Sequence, residues 1–211
     1  MIKLALFDVD YTLTKKETLI SFFKFMLKKH PADILHIPAA LASGSLFKLG
    51  FFNEKQSKEL FLRFLKGKSV EEIDALADEF FVTVLRNILY KDGIRKLQEL
   101  KERDYFIILT SASPEFYIKK LGDMLKADKI MGTKFEIADG VFTAKMLGHN
   151  NKGVEKVLRL YEYLNGMEID YENSYMFSDS LSDDPLLKIV GNPYLINYKK
   201  KNPKYPVLNW R

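Results

Sequence analysis

The spacing of apolar and polar positions changes period twice along the chain, and the changes divide it. Residues 2 to 7 form an apolar run broken only by Lys3, which stops at Asp8-Val9-Asp10-Tyr11-Thr12. That pattern predicts a buried strand of a parallel sheet delivering polar groups at its carboxyl end. Helical spacing then takes over through Leu19, Phe22, Phe23, Phe25, Met26 and Leu27, ending near Lys28-Lys29-His30-Pro31. Asn53-Glu54-Lys55-Gln56 and Ser69-Val70-Glu71-Glu72 both read as capping boxes. The first opens a helix through Leu60, Phe61, Phe64 and Leu65, ended by Gly67; the second opens one through Ile73, Leu76, Phe80 and Leu85. Residues 15–90 are therefore expected to be entirely helical.

Beyond Asp92-Gly93 the two periods alternate. A helix to Arg103 precedes a strand at 105–110, and Ser113-Pro114-Glu115 predicts the next helix, with serine at the cap and proline in the first turn. A short strand at 129–131 and a hairpin turning at Asp139-Gly140 come next. They are followed by a helix at 152–164, a strand at 174–177, a helix at 184–190 and a last strand at 194–196. Strands separated by helices predict an α/β fold with a parallel sheet. Its core is 1–14 and 91–211, with helical residues 15–90 inserted after the first strand.

Composition narrows the chemistry. At 211 residues and 47% hydrophobic, the chain can bury a full core. Its net charge of +5 and pI near 9.1 favour anionic substrates and call for no nucleic-acid partner. The absence of cysteine excludes disulfides and thiolate metal sites and suits a reducing cytoplasm. His30, His36 and His149 are scattered, so a metal would take hard oxygen ligands, which makes magnesium the natural candidate. No signal-peptide pattern opens the chain. The stretch 34–52 is apolar apart from His36 and Lys48, but Pro38, Ser43, Gly44 and Ser45 interrupt it. It reads as a helix packed inside the inserted block, in preference to a membrane contact. Lys199, Lys200, Lys201 and Lys204 read as a solvated tail.

Two motif matches fail. A calcium loop starting at Asp8 would need glycine where Leu13 stands and glutamate where Leu19 stands. Gly67-Lys68-Ser69 imitates the end of a phosphate loop, but Leu62 occupies the first glycine position and a helix precedes it. What survives is an ordered set: Asp8 and Asp10 after the first strand; Ser111 after the next; Lys152 before a later helix; then Asp179, Asp183 and Asp184 after the strand at 174–177. Ser111 with the amides of Ala112 and Ser113 can hold a phosphate ahead of a helix. Lys152 would neutralise phosphoryl oxygens. Three acids in one loop exceed what a helix cap explains and suggest a cation.

This order, Asp-x-Asp-x-Thr, hydroxyl, lysine, acidic loop, resembles the haloacid dehalogenase (HAD) superfamily, family IB, whose branch includes the phosphoserine phosphatases. The resemblance spans essentially the whole chain. It implies a doubly wound, Rossmann-like sheet with a helical cap, and a magnesium-dependent phosphomonoester hydrolase acting on a small metabolite. It also implies that Asp8 is the nucleophile forming an aspartyl-phosphate and Asp10 the general acid and base. Magnesium would then sit on Asp8, the carbonyl of Asp10 and Asp179, with Asp183 on metal-bound water, while Ser111, Ala112, Ser113 and Lys152 hold the phosphate. Glu17 stands nine residues after Asp8, where phosphoserine phosphatases contact the substrate amine; a helix-start glutamate facing solvent explains it as well. Ala112-Ser113 and Ser178-Asp179-Ser180 replace the family's glycine pair and its Gly-Asp-Gly loop, so phosphoserine is one candidate. Two alternatives are a phosphoryl-accepting module without turnover and a phosphatase of phospholipid head groups at a membrane.

Overall fold

A computed structural model of the chain describes residues 1–201 and 203–211, and their side chains except at 33, 34, 36, 40 and 41, so Ile34 and His36 of the apolar stretch lie outside the described side chains. The chain opens with β1 (Leu4–Phe7). Next come α1 (Thr18–Lys29), α2 (Ile37–Lys48), α3 (Glu54–Phe61) and α4 (Val70–Thr83), joined and followed by 3-10 turns at Pro31–His36, Leu62–Leu65 and Leu85–Ile88. After α5 (Lys91–Glu102) come β2 (Phe106–Pro114), α6 (Glu115–Leu125), β3 (Lys129–Thr133) and a hairpin of β4 (Phe135–Ala138) and β5 (Val141–Met146). The chain closes with α7 (Val154–Leu164), β6 (Tyr175–Ser178), a 3-10 turn at Leu181–Asp183 leading into α8 (Asp184–Leu187), then β7 (Asn192–Ile196) and β8 (Val207–Leu208).

Six strands form one parallel sheet in the order β3-β2-β1-β6-β7-β8. The α/β expectation holds. The central strand is buried on both faces, and its side chains alternate between them. Ala5 and Phe7 join Leu97, Leu100, Leu109, Phe177 and Trp210 on one side. Leu4 and Leu6 join Ile108, Leu160, Leu164, Met176, Leu187 and Leu195 on the other. Both capping boxes form as read, on Asn53 with Gln56 and on Ser69 with Glu72. The hairpin turns on Asp139 and Gly140, both with positive φ, as the Asp-Gly pair predicts. The helices of the insertion meet α6 through aromatic rings, Phe22 lying 5.1 Å from Phe80 and 5.2 Å from Tyr117 between centroids.

Three readings of the sequence are corrected. Ser113 does not cap α6, because β2 runs on to Pro114 and the Ser113 hydroxyl is drawn to Asp10. The tail is solvated only at its lysines, which are exposed: beyond them β8 pairs with β7, and Trp210 is buried against Phe177 and packs over Gly93, where an added Cβ would lie 2.9 Å from the indole ring. The apolar stretch is not fully packed away, since Leu35, Phe47, Leu49 and Phe51 face solvent. Among the described residues no helix is long and apolar enough to cross a membrane.

Candidate active site

Sheet register brings the polar groups together. Phe7 lies level with Leu109 of β2 and Phe177 of β6, so Asp8, Ser111 and Asp179 emerge one or two residues later at one edge. Open parallel sheets place ligands at this edge. The Asp8 amide continues the ladder to the carbonyl of Phe177 at 2.9 Å. The chain then folds back sharply, with Tyr11 at φ 57° and the amides of Thr12, Leu13 and Thr14 gathered on the carbonyl of Val9. Thr12 ties two acidic segments together: its hydroxyl donates to Asp8 Oδ2 at 3.2 Å and accepts from the amide of Asp179 at 2.8 Å.

The lysine beside these acids is Lys156, not Lys152. Its ammonium lies 2.6 Å from Asp8 Oδ1 and 2.7 Å from Asp183 Oδ2, with all three side chains almost wholly buried. Lys152 precedes α7 and points outward, pairing with Glu54 of α3 at 2.6 Å while 45% of its side chain stays exposed. The physical reason is helix phase. Lys156, Leu160 and Leu164 are spaced by four residues and form the buried face of α7, whereas Lys152 lies ahead of the helix with no face assigned to it. That spacing was the sequence signal for Lys156.

Asp10 is held by a different set. Oδ2 accepts from Ser113 Oγ at 2.7 Å and Ser111 Oγ at 3.1 Å, and Oδ1 accepts from the amide of Thr18 at 2.6 Å. The carboxylate thus sits at the amino end of α1, where the helix favours negative charge. Thr18 Oγ1 also donates to Ser113 Oγ at 2.9 Å and lies 3.2 Å from the Tyr117 hydroxyl, so the inserted helices and the sheet share one hydrogen-bonded cluster. The Ser113 amide is spent on Ser111 Oγ, and the Ala112 carbonyl accepts from Thr133 and from Lys58. Asn151 braces the strand ends from beneath, its amide donating to the carbonyls of Ser111 and Met131 and to Thr110 Oγ1. Of the acidic loop, Asp179 and Asp183 face the site, whereas Asp184 turns away to Lys188, Lys204 and Tyr205.

Burial pushes the Asp8 carboxyl up, the Lys156 ammonium pulls it down, and the charges of Asp183, Asp10 and Asp179 push it up. Asp179 is raised to about 6 by burial and the charge of Asp183. Against the cost of burial, Asp8 and Asp183 hold the Lys156 ammonium above its ordinary value. Two carboxylates, Asp8 and Asp183, share the buried Lys156 ammonium with Asp10 and Asp179 close by, and Asp183 Oδ1 is buried with no hydrogen-bond partner among the described residues. A divalent cation fits such a surplus of hard oxygen donors. No group of three or more His, Asp or Glu side chains able to hold a metal is present among the described residues. A cation would accordingly draw on backbone or solvent oxygen as well as carboxylates.

From the inserted helices, two further charges face this space. Glu17 caps α1, its Oε2 accepting from the amide of Ile20 at 2.6 Å, and burial with the nearby charge of Asp10 raises it to about 7. It is half-buried. Lys58, missed in the sequence, donates to the Ala112 carbonyl and to Asn150 Oδ1, the latter at 2.6 Å. Burial lowers it to about 8 against the pull of Asp10, Glu54 and Glu17.

Residues 5–188 match the family model for haloacid dehalogenase-like hydrolases. A Mycobacterium tuberculosis protein named phosphoserine phosphatase is 26% identical over 92% of this chain and 64% of its own, so the chain spans less than two thirds of that relative's length. A histidinol-phosphatase of Neisseria meningitidis is 26% identical over the full length of both chains. A substrate-bound phosphoserine phosphatase structure superposes with a TM-score of 0.65 over 94% of this chain and 88% of that one, at 20% identity.

Proposed function

The chain belongs to the haloacid dehalogenase-like hydrolase family, and from that premise we propose that it is a phosphomonoester hydrolase working through an aspartyl-phosphate on Asp8. The observation that carries the reading is the division of labour between the two acids. Asp8 is paired with a buried ammonium, as a nucleophile meeting a phosphoryl dianion requires, and Asp10 sits among hydroxyls and an amide that orient it. Asp8 Oδ attacks phosphorus and the ester P–O bond breaks, with Asp10 giving its proton to the departing alkoxide. Asp10 then takes a proton from water as that water attacks the same phosphorus, and the bond to Asp8 breaks to release inorganic phosphate. Lys156 and the hydroxyl of Ser111 stabilise charge on the transferring group. Asp8, the carbonyl of Asp10, Asp179 and, through water, Asp183 would hold magnesium. The cation would supply charge neutralisation for the approaching dianion.

Residues 15–90 act as a cap in this reading, and Glu17 and Lys58 face the substrate from it. Phosphoserine and histidinol phosphate both carry an ammonium one carbon from the phosphorylated CH2, a shared chemistry that supports Glu17 as an amine contact. We infer a small 2-amino-alkyl phosphate as substrate, handled in a reducing cytoplasm. Release of phosphate from p-nitrophenyl phosphate, phosphoserine, histidinol phosphate and phosphocholine is to be measured with magnesium and with chelator. Magnesium-dependent release with preference for a primary amine supports the reading. Stable phosphorylation without turnover would replace it with the phosphoryl-accepting module.

A further inference from the structure

We propose that the segment from the end of α1 to the start of α3 is a peripheral docking element for a lipid bilayer surface rich in anionic phospholipid. Between residues 30 and 53 the only formally charged side chains are Asp33 and Lys48. Four large apolar residues of this segment face solvent: Leu35 is 80% exposed, Leu49 70%, Phe51 73% and Phe47 43%. A helix on the surface of a soluble domain turns a charged face outward. α2, with the sequence IPAALASGSLFK, has no such face, its polar residues being serines and the terminal lysine. At 12 residues it is far short of the roughly 20 a membrane crossing needs. The contact would instead be a shallow one, made by the exposed Phe47, Leu49 and Phe51 at and just beyond the end of α2.

Charge decides the occupant. Cations flank the apolar segment on both sides: Lys24, Lys28 and Lys29 on α1, Lys48 at the end of α2, and Lys55 in the first turn of α3. Lys16, Lys24, Lys28 and Lys29 line one cavity of about 520 Å³, and Glu79 is the one acid among its lining residues. Lysines on the elements that flank an exposed apolar segment in the chain match an anionic lipid surface, which attracts those that are not, like Lys29 with Glu79, already paired. A second copy of the chain suits this face poorly, because a two-fold interface puts the same lysine-rich patch on both sides of the contact, with few acids opposite. Position gives the contact a use. Phe51 lies three residues before Glu54, which accepts from Asn150, and one further turn along α3 Lys58 reaches Asn150 Oδ1 and the Ala112 carbonyl. Docking through Leu49 and Phe51 would therefore anchor the segment that leads directly into α3 and Lys58. The inference concerns where the protein sits and stands apart from the reaction proposed above.

The test is co-sedimentation of the full chain with vesicles of phosphatidylcholine alone and of equal parts phosphatidylcholine and phosphatidylglycerol at low salt. The chain is expected to pellet with the mixed vesicles and to stay in solution with phosphatidylcholine. The double variant Leu49→Ser/Phe51→Ser, with unchanged far-ultraviolet circular dichroism, should lose binding by about tenfold or more, and Lys24→Glu/Lys28→Glu should weaken it in a salt-dependent way. A Phe51→Trp variant keeps the apolar character and reports insertion directly through quenching by brominated lipid. A wild-type chain that stays in solution with the mixed vesicles overturns the proposal. So does a folded double variant that binds as well as wild type, a tryptophan at 51 that lipid does not quench, or a dimer in light scattering that the double variant dissolves.

Discussion

Replacing Lys156 and Lys152 separately by alanine tests which lysine serves the site. Lys156→Ala leaves two buried carboxylates, Asp8 and Asp183, without their ammonium. Breaking one member out of a buried ion pair costs about 3–5 kcal/mol. With a urea slope of about 2 kcal/mol/M for a chain of this size, the unfolding midpoint should fall by about 1.5–2.5 M. Loss of the charge facing the transferring phosphoryl group should lower kcat by about 10²–10³-fold even in the molecules that remain folded. Lys152→Ala removes an ion pair whose members are 45% and 37% exposed, and such pairs contribute about 0.2–1 kcal/mol. Its midpoint should move by less than about 0.5 M, and its kcat by no more than a few-fold. Urea denaturation followed by circular dichroism, with steady-state hydrolysis of p-nitrophenyl phosphate on the same preparations, measures both. A Lys152→Ala chain that loses turnover while Lys156→Ala keeps it would refute the assignment and return the role to the loop before α7.

Three further outcomes follow from the same geometry. Asp8→Asn should abolish turnover, and Asp10→Asn should lower it by about 10²–10⁴-fold, with both chains folded because the amide oxygen keeps the Lys156 contact of Asp8 or the Thr18 amide bond of Asp10, and the facing hydroxyls of Thr12, Ser111 and Ser113 can turn to accept from the new amide nitrogen; near-normal activity of Asp8→Asn in a phosphate-release assay would end the aspartyl-phosphate scheme. Lys58 faces Asp10, Glu54, Glu17 and Lys152 and titrates near 8, so kcat/KM for a dianionic substrate should decline above about pH 8 and Lys58→Met should remove that limb. For stability the sign is opposite: with a folded value below the ordinary 10.5, the unfolded chain binds the extra proton between about pH 8 and 10.5, and this group's contribution to stability rises with pH across that window. Trp210→Ala should cost about 3–5 kcal/mol in chemical denaturation, because the ring is 7% exposed and lies 5.5 Å from Phe177; a loss below about 1 kcal/mol would show that the tail is no part of the core.

Much of the fold was legible because local and global signals agree. The apolar run before Asp8, the Asp-Gly hairpin and the two capping boxes each have a short-range cause, and each forms where the spacing places it. Where a long-range partner decided the outcome, the sequence reading went astray. Ser113 has every local mark of a helix cap, yet Asp10, more than 100 positions earlier, takes its hydroxyl. Two strand-adding residues, Val207 and Leu208, and one tryptophan were too short a signal to stand out from a lysine-rich tail, although β8 and Trp210 close the sheet edge and cover Gly93.

The site divides along the same line. Asp8, Asp10, Ser111 and Asp179 lie at strand ends, where period two and parallel register bring them together without knowledge of any other contact. Lys156 comes from the first turn of a helix, and only the helical period carries it inward: it occupies the face that Leu160 and Leu164 bury, where an unpaired ammonium would be strongly disfavoured. A lysine in phase with two buried leucines therefore demands a carboxylate partner from elsewhere in the chain, and the chain supplies two. The exposed apolar segment before α3 poses the complementary problem. Its pattern states that these side chains are apolar, not that the chain contains a surface to cover them, and Leu49 and Phe51 remain uncovered in the folded protein. Buried charge and exposed hydrophobe are both out of place by the ordinary solvation rule, and each marks a partner that one-dimensional spacing cannot supply: for Lys156 the acids of the site, and for Leu49 and Phe51 the lipid surface proposed above.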